Sequence, residues 1–176
     1  VELFARKKLG KLSGWIGYTL SWTNRQFDKL NFGEEFPYKY DRRHDISVVA
    51  VYKPSKRIEL SGTWVFGTGN AITIPKGMHT AVDPMEPHSY YSGMLKIYGE
   101  RNSYRMAPYH RLDLSISFIK TRKWGERRWV IGIYNAYNRR NPFFIDVETT
   151  MDYSPSTGVP SLKSSLYQSN LLPIIP

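Results

Sequence analysis

Four histidines are the first residues to weigh for chemistry. His79 and His88 share a stretch with Asp83 and Glu86, but their spacing matches no metal-ligand motif that has a mechanistic reason behind it. His44 and His110 each open a patterned segment beside charged neighbours, Arg43 and Asp45 in one case and Arg111 and Asp113 in the other, which suits hydrogen bonding at a boundary. The aspartates and glutamates are scattered, so no acid–base pair stands out, and no Ser, His and Asp arrangement can be read from spacing. Thr68-Gly69-Asn70 is too short for a phosphate loop and reads as a strand's exit into water. The expectation is therefore no enzyme, no metal and no cofactor. What remains is binding. Tyr90, Tyr91, Tyr98 and Tyr104 stand in a stretch rich in Gly, Pro and Tyr, and tyrosine-rich loops suit sugar or peptide recognition, with loop packing as the plainer use. Arg57, Glu59, Arg111 and Asp113 fit a charge ladder across neighbouring strands better than a substrate path.

The elements that must position these residues announce themselves by alternation. From Arg111 to Lys120, Leu112, Leu114, Ile116 and Phe118 take the even places, while Arg111, Asp113, Ser115 and Ser117 take the odd ones. A strand turns successive side chains to opposite faces, so this segment separates an oily medium from a wet one. The same pattern recurs from Ser13 to Asn24, where Gly14, Ile16, Tyr18, Leu20 and Trp22 share a face and Trp15 is the one large side chain on the other. It recurs from His44 to Lys53 with Ile46, Val48, Ala50 and Tyr52, and from Arg57 to Gly67 with Ile58, Leu60, Gly62, Trp64 and Phe66. Val1 to Lys8 alternates weakly before a turn at Gly10, and Trp129, Ile131 and Ile133 fall together on a later strand. The final segment, Leu162 to Pro176, has barely begun an inward-running strand when it reaches Pro176. About seven strands of roughly ten residues each result, the length that crosses a bilayer at a tilt.

The connections carry a second rhythm. They are short at 9–12, 54–57 and 121–126, and long at 25–43, 68–108 and after 138. A structureless stretch as long as 68–108 is uncommon in a compact soluble domain. Short turns on one side and long loops on the other belong to transmembrane barrels.

Composition agrees with a barrel and excludes a helical membrane protein. The 176 residues include 13 Tyr, 8 Phe and 5 Trp, yet no apolar run approaches the roughly 20 residues a membrane helix needs. The aromatics lie mostly towards strand ends, where amphipathic rings form girdles. The net charge of +10 raises the question of a polyanion. Its clusters sit at turns, Lys7, Lys8 and Lys11, then Lys53, Lys56 and Arg57, then Lys120, Arg122, Lys123, Arg127 and Arg128, which suits strand ends in water better than nucleic acid. No cysteine is present, and the first residues lack the apolar core and cleavage site of a signal peptide.

Four ordered segments carry a family resemblance. Val1 to Thr19, Phe-Pro-Tyr-Lys-Tyr-Asp-Arg-Arg-His-Asp at 36–45, Phe-Gly-Thr-Gly-Asn-Ala-Ile-Thr-Ile-Pro at 66–75 and Tyr-Asn-Ala-Tyr-Asn-Arg-Arg-Asn-Pro-Phe-Phe at 134–144 look like signatures of the C-terminal barrel of TonB-dependent outer-membrane transporters, the Bacteroidetes type above all. The resemblance covers essentially residues 1–176. It implies an antiparallel transmembrane β-barrel segment, strands 16 to 22 of a 22-stranded barrel with the last strand incomplete and the plug domain and TonB box not in this stretch. It further implies active import of a large nutrient (glycan, peptide or metal chelate) across the cell outer membrane. The implied partners are the remaining barrel and plug, the TonB complex through that plug, a surface lipoprotein, and lipid with lipopolysaccharide; nucleic acid is not among them. The membrane-facing residues would be Ile16, Tyr18, Leu20, Trp22, Ile46, Val48, Tyr52, Leu60, Trp64, Phe66, Leu112, Leu114, Ile116 and Phe118. A passive porin-like barrel and a soluble basic β-domain binding glycan or nucleic acid stay open as alternatives.

Overall fold

Alternation turns into strands wherever it was strict. The computed structural model of the chain describes residues 1–80, 94–153 and 160–176. In order, the elements are β1 (Glu2–Lys7), β2 (Leu12–Leu20), β3 (Asn24–Arg25), a single 3-10 turn (Asn31–Gly33), β4 (Phe36–Pro37), β5 (His44–Ser55) and β6 (Ile58–Gly67). They continue with β7 (Ala71–Ile72), β8 (Pro75–Thr80), β9 (Met94–Tyr98), β10 (Tyr104–Arg105), β11 (Tyr109–Arg122), β12 (Gly125–Ile133), β13 (Pro142–Tyr153) and β14 (Pro160–Asn170). The protein is all-β and antiparallel, with no α-helix among the described residues.

One six-stranded sheet dominates, in the order β1-β2-β5-β6-β11-β12, each long strand beside the next along the chain. Its short connections centre on Gly10, whose φ of +91° is open to glycine at little cost, and on the two-residue turns at 56–57 and 123–124. The third turn is therefore tighter than the expected 121–126, because β11 runs on to Arg122 and pairs there with Gly125. Segment 68–108 is not structureless: β7 pairs with β10, and β8 with β9. The long connection after 138 holds a hairpin, β13 with β14. Strict period-two patterning is absent from segment 68–108, so its ladders were not visible in the residue pattern, whereas β13 does alternate, Ile145, Val147, Met151 and Tyr153 against Asp146, Glu148, Thr150 and Asp152. The chain then returns to the main sheet, where Tyr134 and Ile175 exchange two backbone hydrogen bonds of 2.7 and 3.2 Å beside the end of β12.

Register gives the sheet its two characters. Leu112 lies opposite Trp64, Leu114 opposite Gly62 and Ile133, Ile116 opposite Leu60 and Ile131, and Phe118 opposite Ile58 and Trp129. Further along, Val48 faces both Trp64 and Ile16, and Ile46 faces Phe66 and Tyr18. Directly opposed residues share a face, so one apolar surface continues across all six strands. Among the described residues no protein layer buries it: the buried apolar residues there are Phe36, Ala71 and Met106, none of them on the sheet, while Ile16 is 52% exposed and Ile131 61%. The packing core instead sits among the long connections at one end.

Candidate functional site

Three places could do something: the polar face of the sheet, the tied-down long connections, and a recess among them. On the polar face, Arg111 is the most connected residue. Its Nε donates to Asp113 Oδ2 at 3.0 Å, its Nη1 donates to the hydroxyls of Tyr109 and Tyr134 at 3.0 and 2.5 Å, and its guanidinium lies over the Tyr134 ring, 4.1 Å from the centroid. Asp113 also accepts from the Asn135 backbone N–H at 3.0 Å, so the pair fixes the exit from β12. Nearer the short turns, Glu59 meets Lys53 at 2.9 Å and Arg128 at 3.4 Å, and between these groups the Ser61 and Ser115 hydroxyls are 2.6 Å apart. A ladder of charge and hydroxyl does run across the strands, but with a changed membership. Arg111 and Asp113 pair within β11, and Glu59 takes Lys53 and Arg128, with no ion pair for Arg57 among the described residues. Trp15 is not anomalous on this wet side, because it is 5.9 Å, ring to ring, from Phe4, which shares that face on β1.

The expected membrane-facing residues fall on the opposite face together, with the exception of Trp22. β2 ends at Leu20, and Trp22 lies beyond the ladder with the Arg43 guanidinium 4.8 Å from its ring centroid. His44 and His110 also stand on the apolar face, at its long-connection end, and each satisfies its Nδ1 with a tyrosine hydroxyl: Tyr18 at 2.9 Å and Tyr137 at 2.8 Å. Both are hydrogen-bonding residues, as their neighbours in sequence suggested.

The long connections are held by Asp41, which is fully buried. Its carboxylate accepts from the Thr23 N–H at 2.7 Å and from the Arg105 guanidinium, which also donates to the Asp41 carbonyl. One carboxylate thereby joins the β2–β5 and β6–β11 connections. Asn102 repeats the device, donating from Nδ2 to Pro37 O at 2.8 Å while its backbone N–H donates to Thr73 Oγ1 at 2.9 Å. The Tyr-Asn-Ala-Tyr-Asn-Arg-Arg-Asn segment does similar work beyond β12. Asn135 and Asn138 adopt φ of 53° and 52°, a region that Asn tolerates better than most residues. Asn135 reaches the Arg139 and Leu172 carbonyls, and Asn141 clasps both backbone groups of His110. Asn135 and Asn141 thus have both ends of their amides engaged in shaping the chain.

Of the tyrosines singled out for ligand contact, Tyr90 and Tyr91 lie outside the described residues, as do Asp83, Glu86 and His88. Tyr98 is exposed on β9 opposite Pro75, and Tyr104 is on β10 opposite Ile72, so the two belong to separate ladders. A recess of 320 Å³ opens instead beside β7, lined by Lys39, Asn70, Ile72, Thr73, Asn102, Met106, Phe143 and Phe144 among others. Both phenylalanines are more than half exposed, and the Asn70 Oδ1 is buried without a partner among the described residues. An amide oxygen, an ammonium and two open rings can hold a ligand that has both a flat apolar side and donor groups. The Asn-Pro-Phe-Phe run at 141–144 is the sequence signal for the two phenylalanines, and by itself it gives them no role. Comparison with protein-family models, with curated proteins and with solved structures finds no match to this chain.

Proposed function

We propose that the chain is a wall segment of an outer-membrane transport barrel that imports a large nutrient, a glycan, peptide or metal chelate, with TonB-coupled energy. The observation that carries this reading is the apolar face, unbroken in register across six strands and covered by no protein layer among the described residues. From His110 to Lys120 the β11 backbone climbs about 33 Å at ~3.3 Å per residue, and a barrel tilt of ~40° makes that about 25 Å, the height of an outward apolar band. The network of Arg111, Asp113, Glu59 and the serines then faces an aqueous bore. The long connections face outward, and the recess at Phe143 and Phe144 is a contact point for the passing nutrient. Further polypeptide closes the barrel and supplies the plug that engages the TonB complex; lipopolysaccharide and a surface lipoprotein are partners at the outer side.

Two experiments test it. The sequence has no cysteine, so single cysteines report cleanly in intact outer membranes. Cysteine at Ser115 or Thr63, both on the open part of the polar face, is expected to react with a water-soluble maleimide, and cysteine at Leu114 or Ile116 only with a membrane-partitioning one. Equal reactivity at all four sinks the wall. For transport, a strain lacking the gene is expected to lose growth on one member of a panel of glycans, peptides and ferric chelates. Uptake of that nutrient should stop when the proton gradient is collapsed, whereas gradient-insensitive uptake would favour the passive barrel.

A further inference from the structure

The apolar face ends, towards the short turns, in an unusual row. Phe118 lies opposite Ile58 on one side and Trp129 on the other, and one step further Lys120 lies directly opposite Arg127. Two cations facing each other across a ladder repel. The carboxylates near this end do not relieve them: Glu126 is bound to Arg128, and Glu59 to Lys53 and Arg128, on the polar face. Among the described residues neither Lys120 nor Arg127 has an ion-pair partner. The Arg127 guanidinium rests 5.0 Å from the Trp129 ring centroid, which holds it at the rim of the apolar surface. Lys56, Arg57 and Arg122 join these groups around an open hollow of 840 Å³ whose remaining walls include Ile58, Phe118 and Trp129.

From this geometry we infer that the hollow is a binding site for an anionic phospholipid in the leaflet at the short-turn end, its phosphate held by Lys120 and Arg127 and its acyl chains laid along Phe118 and Ile58. The inference rests on the membrane-wall reading above. A free phosphate would satisfy the cations, but it would leave the aromatic and aliphatic walls in water; a lipid satisfies both. Lysine and arginine at such a boundary extend their charged ends towards headgroups, and each is worth a several-fold gain in anionic-lipid affinity.

The test uses the intact protein in nanodiscs of phosphatidylcholine doped with phosphatidylglycerol, with retained lipids counted by native mass spectrometry. Wild type is expected to retain phosphatidylglycerol preferentially. The K120Q/R127Q variant should lose that preference by roughly 10- to 30-fold, while K8Q/K11Q, with the same charge loss at another turn of this end, keeps it. Added inorganic phosphate should not displace the lipid. Retention unchanged in K120Q/R127Q, equal loss in K8Q/K11Q, or displacement by phosphate would each overturn the site. A second readout does not depend on that variant folding: brominated phosphatidylglycerol should quench tryptophan emission more than brominated phosphatidylcholine, and W129F should remove the excess; no excess in wild type overturns the site. Protein that fails to enter nanodiscs at all defeats the wall reading and this site together, whereas entry without lipid preference defeats this site alone.

Discussion

Asp41 shows how much one side chain can organise. It is fully buried, and Arg105, its partner, lies 64 residues further along the chain. Removing the carboxylate would leave the Arg105 Nη2 and the Thr23 N–H without their acceptor, while Arg105 Nη1 keeps the Asp41 carbonyl; breaking a fully buried pair costs about 3–5 kcal/mol. Arg105 is about one-third exposed, so water recovers part of that. Asp41→Ala is therefore expected to lower stability by roughly 2–4 kcal/mol, read as a shift in the denaturant midpoint of detergent-solubilised protein. Asp41→Asn, which keeps an oxygen for Thr23, should cost less. A second residue tests the same region without charge. A Cβ on Gly69 would sit 1.8 Å from the Met106 carbonyl oxygen, a clash with backbone that cannot rotate away. Gly69→Ala should thus destabilise as strongly as Asp41→Ala, and a change of less than about 0.5 kcal/mol would mean the connections are not locked as described. Neither residue was legible in the sequence. A pair 64 positions apart leaves no periodic trace, and Asp41 looked like one charge among many in a polar stretch.

Among the elements, legibility follows physical environment. β2, β5, β6 and β11 each place one face against an apolar surface and one against polar groups, so selection of side chains at alternate positions writes the strand into the sequence. β7 and β10 are two residues each and β8 has no run of alternation, so nothing in their residue pattern demands period two; β13 does alternate, Ile145, Val147, Met151 and Tyr153 against Asp146, Glu148, Thr150 and Asp152, and that signal was there to be read. The candidate site divides along the same line. The wet-face residues on β6 and β11 could be named in advance, whereas the recess depends on Phe143 and Phe144 meeting Asn70 and Asn102 from connections far apart in the chain. The strength of the alternation also sets an element-level prediction. Leu114 is at the centre of the apolar face and Ser115 is its immediate neighbour on the other. An arginine at the midplane of a barrel's outer face costs about 2–4 kcal/mol and a lumen position is far more tolerant. Leu114→Arg should reduce the heat-resistant folded fraction on cold electrophoresis, with Ser115→Arg close to wild type. If both behave alike, the two faces do not see different media.

At the scale of the whole molecule the sheet has two long edges, the outer sides of β1 and β12. The first is unpaired among the described residues, and the second is met only where Tyr134 and Ile175 form their bridge. Each backbone N–H or C=O left open on such an edge is harmless in water but costs several kcal/mol in hydrocarbon. It is also a template for pairing with another copy. An apolar face that none of the described residues covers adds to the hazard, since contiguous exposed apolar surface of this kind drives association. The two features make one prediction when the 176 residues are produced by themselves. Without detergent they should sediment as large assemblies, with an infrared signature of extended β-structure. Detergent should cover the face and shrink those assemblies, but the edges remain, so small edge-joined oligomers should persist until the rest of a barrel wall pairs with β1 and β12. A protein that stays monomeric in plain buffer would require both faces to be content in water. That single result would turn the argument towards a soluble basic β-domain, with the row of Lys120 and Arg127 then an ordinary solvated charge pair.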